Sequence, residues 1–177
     1  ILARVPDELG FPVVLKIPDG SFSRGVFKAE APAELRKIAK TLFADSDLIL
    51  AQEFMPTEFD WRIGVLDGEP LFVSQYRMAP KHWQICNHGA TGRGKSGGFA
   101  TLAVQDAPAD VLDVALKAAK LMGQGLYGVD LKQYDRGVFV VEVNDNPNID
   151  HGIEDKVLKD KLYERVIDSF VHRIRAR

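Results

Sequence analysis

An α+β fold in two lobes is predicted by three observations. Short apolar runs are joined by Asp-Gly or other Gly-containing turns, as in antiparallel hairpins. Other segments carry apolar residues at helical spacing, and Pro56 with the polar residues after it marks a junction between two groups of elements. The lobes are expected at residues 1–56 and 57–177.

In the first lobe the chain enters a strand almost at once, over residues 11–17. A flexible connection including Gly20, Ser21 and Gly25 leads to a second short strand at residues 26–29. Pro32 opens a helix, since Leu35, Ile38, Ala39 and Leu42 fall on one face of a 3.6-residue period, and residues 48–54 return as a strand. In the second lobe residues 61–66 and 70–76 read as a hairpin around Asp67-Gly68. A Gly-rich loop covers residues 88–98. Pro108 then starts a helix with a stripe of Val111, Leu112, Ala115, Ala118, Ala119 and Met122. A closing helix repeats apolar residues every fourth position from Leu158 through Leu162, Val166 and Phe170 to Ile174, with a basic, solvated outer face.

Between those helices lies a hairpin with chemical content. Residues 126–134 and 138–143 flank Asp135-Arg136-Gly137, a three-residue connection with Gly where a bulged hairpin needs positive φ. Pairing Tyr134 with Val138 and counting outward in twos sets Lys132 opposite Val140 and Asp130 opposite Glu142. Asn144 adds a third oxygen to that face, while Phe139, Val141 and Val143 point into a core. Like charges facing each other destabilise a strand pair, so this arrangement calls for a compensating cation. Oxygen ligands without Cys or His point to Mg²⁺, which takes one or two carboxylates plus substrate phosphates. The alternative is an ordinary ion network in which Lys132 and other basic side chains neutralise the pair.

A chain of 177 residues buries about 70% of its unfolded surface, enough for one sizeable core or two small lobes. One cysteine, Cys86, forms no internal bridge, and no signal-like or membrane-length apolar run is present, so a cytoplasmic setting is expected. With 23 basic and 25 acidic residues the net charge of −2 offers no general attraction to nucleic acid or anionic membrane. The start at Ile1 rather than Met suggests a piece of a longer polypeptide.

Gly89, Gly94, Lys95 and Ser96 match the Walker A spacing. A P-loop delivers its phosphates to a helix N-terminus, and Gly97, Gly98 and Pro108 leave no room for that helix. The P-loop NTPase reading over Gly89 and Ser96 is therefore the rival, not the leading one. With little to pin it, the loop otherwise reads as a substrate lid or a plain surface loop.

Other pieces are weak singly. Lys16 ends a strand before the Gly20 to Gly25 loop, either to lie on phosphates or as a solvated side chain. Glu53 and Phe54 lie where the lobes join, suited to an adenine edge or to core packing. Asp60 and Arg62 alternate on one strand face, and Arg77, ending the partner strand, suits a developing phosphate charge or merely snorkels.

In order, "VVLKIPDGSFSRGV", "LAQEFMP", "DWRIGVLDGEPL", "YGVDLKQ" and "VVEVNDNPN" resemble the ATP-grasp superfamily, in particular its RimK and glutathione-synthetase branch of carboxylate-amine ligases. The resemblance covers nearly the whole chain. It implies an α+β ATP-grasp fold whose two lobes clasp a nucleotide, with the N-terminal part of the parent protein missing. It also implies that Lys16 contacts phosphates, that Gly20, Ser21 and Gly25 belong to a phosphate lid, and that Glu53 and Phe54 hold adenine through backbone atoms. Asp60 and Asn87 would contact the nucleotide, Asp130, Glu142 and Asn144 would hold Mg²⁺ with Mn²⁺ as the alternative, and Arg77 would support an acyl phosphate. The implied cofactors are ATP and the metal. The implied partners are a carboxylate and an amine, such as glutamate and a peptide or protein terminus, with oligomerisation allowed. Ser23 stands where such loops often have Gly, and "KHWQICN" replaces an Arg-containing segment of RimK-like relatives. A non-catalytic nucleotide-binding module is a further alternative.

Overall fold

The computed structural model describes residues 2–18 and 25–176, and the chain divides into two compact units, Ile1–Pro56 and Thr57–Arg177. Gly20 and Ser21 lie outside the described residues.

The first unit begins with a short helix, α1 (Val5–Leu9), and not directly with a strand, because Pro6 sits in the first helical turn where its missing N–H costs nothing. Three antiparallel strands follow: β1 (Val13–Lys16), β2 (Val26–Ala29) and β3 (Leu50–Glu53), in spatial order β2-β1-β3. Helix α2 (Pro32–Leu42) adds Leu35 and Leu42 to a core with Val13, Leu15 and Ala29. Alternation puts Lys16 on the other face, between Val26 and Leu50.

The second unit is a five-stranded antiparallel sheet in the order β6-β5-β4-β7-β8. Its strands are β4 (Phe59–Leu66), β5 (Glu69–Arg77), β6 (Phe99–Leu102), β7 (Leu126–Tyr134) and β8 (Gly137–Asn144). Asp67 and Gly68 both take positive φ, 52° and 85°, as a two-residue primed turn between β4 and β5 requires. One sheet face is covered by α3 (Ala109–Met122), whose Val111, Ala115 and Ala119 pack on Ile63, Val65, Val73, Val129 and Leu131. Met122, the last residue of the expected stripe, is exposed.

The other face is apolar only at one end. There Leu162 of α4 (Asp160–Arg175) joins Leu66, Leu71 and Phe72, and Gly64 leaves room for the Phe72 ring, which a Cβ would meet at 2.2 Å. Val166 is the last residue of the α4 stripe in this cluster. Phe170 and Ile174 run past it and are exposed. Ser169 and Arg173 instead hold Asp67 of the β4–β5 turn, at 2.5 and 2.6 Å. The remainder of this face is polar. Among the described residues no helix is long and apolar enough to cross a membrane.

Candidate functional site

The polar face is built by strand register. Asp130 pairs with Glu142 across β7 and β8, and Gly128 pairs with Asn144, so the two carboxylates and the amide share one side of the sheet. The route to this pairing differs from the expected count. The turn is tighter, with Tyr134 opposite Gly137 and Lys132 opposite Phe139 instead of Val140. A bulge beyond Leu131 and Val140 then takes up Val141 as one extra residue and returns Glu142 to Asp130. Before the bulge the faces are exchanged relative to expectation. Val138, not Phe139, packs on the core with Val143, and Phe139 shares the polar side, where the Arg136 guanidinium lies 5.8 Å from its ring.

Arg62, directly opposite Asp130 on β4, grips that carboxylate with two bonds, Nε to Oδ1 and Nη2 to Oδ2, both 2.7 Å. Their side chains are only 17% and 18% exposed, so the pair is shielded enough for its charges to matter. Arg62 Nη1 donates to Asn148 Oδ1 at 3.2 Å, and the Tyr76 ring lies 5.3 Å from the guanidinium. Burial works against the Arg62 charge, but the bond to Asp130 and its charge outweigh this and raise the pKa above its ordinary value. Asp130 therefore tolerates Glu142 because Arg62 compensates it, and closeness of the two carboxylates does not by itself demand a metal ion.

One register step away, Lys132 donates to Asp60 Oδ1 at 2.5 Å and to Thr57 Oγ1 at 2.7 Å, and Thr57 also bonds that Asp60 oxygen at 2.9 Å. Burial raises the Asp60 pKa above its usual 3.8, with Lys132 acting in the opposite direction. The bonds to Asp60 fall on Oδ1.

The chain after β8 crosses this face. Pro147 lies against Gly128, where a Cβ would stand 2.8 Å away, so glycine is needed for the close approach. Asn148 reaches Arg62 and also Asp150, whose Oδ2 accepts at 2.9 Å. Glu154 is fully buried; its Oε1 accepts from the Tyr76 hydroxyl and its Oε2 from the Asp150 N–H at 2.8 Å. Next to it, Asp155 accepts from the Gly152 N–H at 2.6 Å and the Tyr163 hydroxyl at 3.0 Å, and meets His151 Nδ1 at 2.8 Å. Burial alone would raise the Asp155 pKa, but these partners hold it below 3.8.

Asp130, Glu142, Asn144 and Asp60 thus come to one face, and Arg77 does not. It ends β5 opposite Phe59, its N–H donates to Gly98 at 2.8 Å, and strand alternation sends its side chain away from the Tyr76 face. The guanidinium that this face carries beside Asp130 is that of Arg62. Asn87 lies in the loop, where its N–H donates to Lys95 at 2.7 Å and its Oδ1 accepts from Gly89 at 3.0 Å. That loop is pinned at its base by the Cys86–Ser96 bridge and by Gly97, where a Cβ would stand 1.8 Å from the Arg77 carbonyl oxygen. Gly92–Gly94 form one 3₁₀ turn and the chain goes on into β6, so the helix a P-loop requires is replaced by a strand. In the first unit Gly25 adopts φ 72°, Glu53 pairs with Val13, and Phe54 gives its N–H to Pro12 at 3.3 Å, with the Lys28 ammonium 4.7 Å from its ring.

The donor set fits Mg²⁺. Asp130 keeps a second lone pair on each oxygen beside its two bonds from Arg62, and Glu142 is exposed on the same face as the Asn144 amide. Among the described residues no group of three His, Cys, Asp or Glu is arranged for a metal, so any ion here takes its other ligands from the amide, water or phosphates.

A family model described as RimK-like ATP-grasp domain matches residues 3–169. A probable alpha-L-glutamate ligase 2 of Shewanella frigidimarina (strain NCIMB 400) is 31% identical over 153 residues, 85% of this chain and 48% of its own length. A probable alpha-L-glutamate ligase of Shewanella halifaxensis (strain HAW-EB4) is 30% identical over 147 residues, 82% of this chain and 30% of its own length. The chain thus spans about half the length of these curated relatives or less. A crystal structure of D-alanine–D-alanine ligase from Bacillus anthracis shares the fold with a TM-score of 0.75 at 22% identity, covering 97% of this chain and 58% of its own.

Proposed function

For a chain that belongs to the RimK-like ATP-grasp family, we propose that the intact protein is an ATP- and Mg²⁺-dependent carboxylate-amine ligase. A substrate carboxylate oxygen attacks the γ-phosphorus of ATP and ADP leaves; an amine then attacks the acyl phosphate, loses a proton and expels phosphate, leaving an amide. The glutamate ligases among its relatives favour glutamate as one substrate and a peptide or protein terminus as the other.

The observation that carries this reading is the Arg62–Asp130–Glu142–Asn144 face. Three of the five guanidinium N–H groups of Arg62 are used by Asp130 and Asn148 among the described residues. The other two can donate to a phosphoryl oxygen in a geometry already set, which lowers the cost of charge developing in the transition state. Asp130, Glu142 and Asn144 would hold Mg²⁺, which supplies charge neutralisation of the phosphates when bound. Lys16 and the lid with Gly20, Ser21 and Gly25 are assigned to the phosphates, Glu53 and Phe54 to adenine, and Asp60 and Asn87 to the nucleotide, on the strength of the family resemblance.

The test supplies MgATP, glutamate and a peptide acceptor to the intact protein. ADP release dependent on both substrates, a product equal in mass to their sum less one water, and an acyl hydroxamate on adding hydroxylamine are expected. MgATP binding with no ADP release for any carboxylate and amine pair would instead leave a nucleotide-binding module.

A further inference from the structure

We propose that Glu154 is a positioning residue for Arg62, acting through the Tyr76 hydroxyl and the Asp150 backbone N–H. The inference rests on the reading of Arg62 as the phosphate-facing group and adds a residue to it that touches no substrate.

Glu154 is fully buried, and its hydrogen bonds come from a tyrosine hydroxyl and a backbone N–H, whereas on the polar face Asp130 is bonded by Arg62 and Asp60 by Lys132. Its two oxygens are spent on two different elements. Oε1 accepts from Tyr76, near the end of β5 and 78 residues away in sequence. Oε2 accepts from the Asp150 N–H in the segment that follows β8. Both elements bear on Arg62. The Tyr76 ring lies 5.3 Å from its guanidinium carbon, and Asn148, itself bonded to Asp150, receives Nη1. Asp130 fixes Nε and Nη2 from the β7 side. The guanidinium is therefore held by Asp130, the Tyr76 ring and Asn148, and two of these three are secured by the same buried carboxylate.

Burying an acidic side chain is costly unless its oxygens are satisfied, so a residue with a merely space-filling role would be apolar here. Tyr76 is equally specific. Burial and the bond to Glu154 raise its pKa above its ordinary value, as befits a hydroxyl that donates to a carboxylate. A ring fixed at its hydroxyl end cannot swing away from the guanidinium, so the two free N–H groups of Arg62 keep one direction.

The experiment compares Tyr76→Phe, Glu154→Gln and the double variant in the intact protein, with Glu164→Gln on the exposed side of α4 as control. Two readouts are taken: steady-state amide formation, and proton exchange of the Arg62 Nε–H by ¹⁵N-arginine NMR. The expected result is a fall in kcat of about 10- to 100-fold in each single variant, the scale of a misplaced catalytic group. KM for MgATP should stay within about twofold. The double variant should lose no more than the worse single one, because the only contact Tyr76→Phe removes is one that Glu154 already makes. Exchange of the Arg62 Nε proton should quicken by at least about tenfold. Tyr76→Phe keeps the ring and is the decisive variant if Glu154→Gln does not fold. A folded Tyr76→Phe protein with unchanged kcat and unchanged Arg62 exchange overturns the proposal, as do multiplicative losses in the double variant. If the wild-type protein forms no amide but Arg62 exchange still depends on Glu154, positioning is supported and the ligase reading falls by itself.

Discussion

Arg62, which the sequence set beside Asp60 on one strand face, joins Asp130, Asn148 and Tyr76 on the polar face. It neutralises Asp130, bonds Asn148 and lies near Tyr76, and its planar fork is what makes these contacts compatible. A lysine keeps the charge and loses the fork. In the ligase reading Arg62→Lys should lower kcat by about 10²- to 10³-fold, with MgATP affinity measured by calorimetry nearly unchanged. Asp155 offers a test independent of catalysis. Its folded pKa is depressed below 3.8, so its ionised form stabilises the protein at pH values above 3.8, and that contribution disappears as pH falls through the lower, folded value. Thermal melting across pH should show Asp155→Asn less stable than wild type above 3.8, with the gap closing on further acidification. Glu142 and Asn144 were legible together because a spacing of two along one strand sets their face, and Asp130 faces them because two departures from the simple count cancel. The meeting of Arg62 with Asp130 was not legible, since the two stand 68 positions apart in sequence, and no local pattern announces that pairing.

The hairpin of β7 and β8 shows how an element can reach the expected arrangement by another path. A two-residue turn shifts the register by one, and the bulge at Val141 shifts it back, so two departures from the simple count cancel at Asp130 and Glu142. Deleting Val141 should leave a regular ladder with Val140 on Leu131 and Glu142 on Asp130, and MgATP binding should persist. Deleting Val143 should swing Asn144 to the core face and weaken that binding. Calorimetric titration of the two deletions distinguishes them. The loop at residues 88–98 teaches the converse. Its composition matched a phosphate-binding pattern, but the chain enters β6 where that pattern needs a helix, and β5 supplies the partner that makes the strand possible. A four-residue edge strand such as Phe99–Leu102 takes its ladder hydrogen bonds from one neighbour and leaves a faint trace in sequence.

At the scale of the whole chain each unit has apolar clusters of its own among the described residues: those around Ile63 and around Leu162 in the second unit, and that around Leu15 in the first. A protein of residues 57–177 should therefore melt cooperatively by itself. The 56-residue unit with its three four-residue strands should be marginal when isolated. Circular dichroism on the two fragments checks both expectations. What the sequence alone determined is whatever depends on near neighbours: the buried faces of the helices, the Asp67-Gly68 turn, the shared face of Glu142 and Asn144, and the family signature they spell. The tertiary structure decided the order β6-β5-β4-β7-β8 and, with it, the meeting of Arg62 with Asp130 and of Tyr76 with Glu154. The reason is physical: periodicity fixes which side of its own strand a residue occupies, but which strands lie beside one another is settled by burial of the common core, a property of the folded chain as a whole.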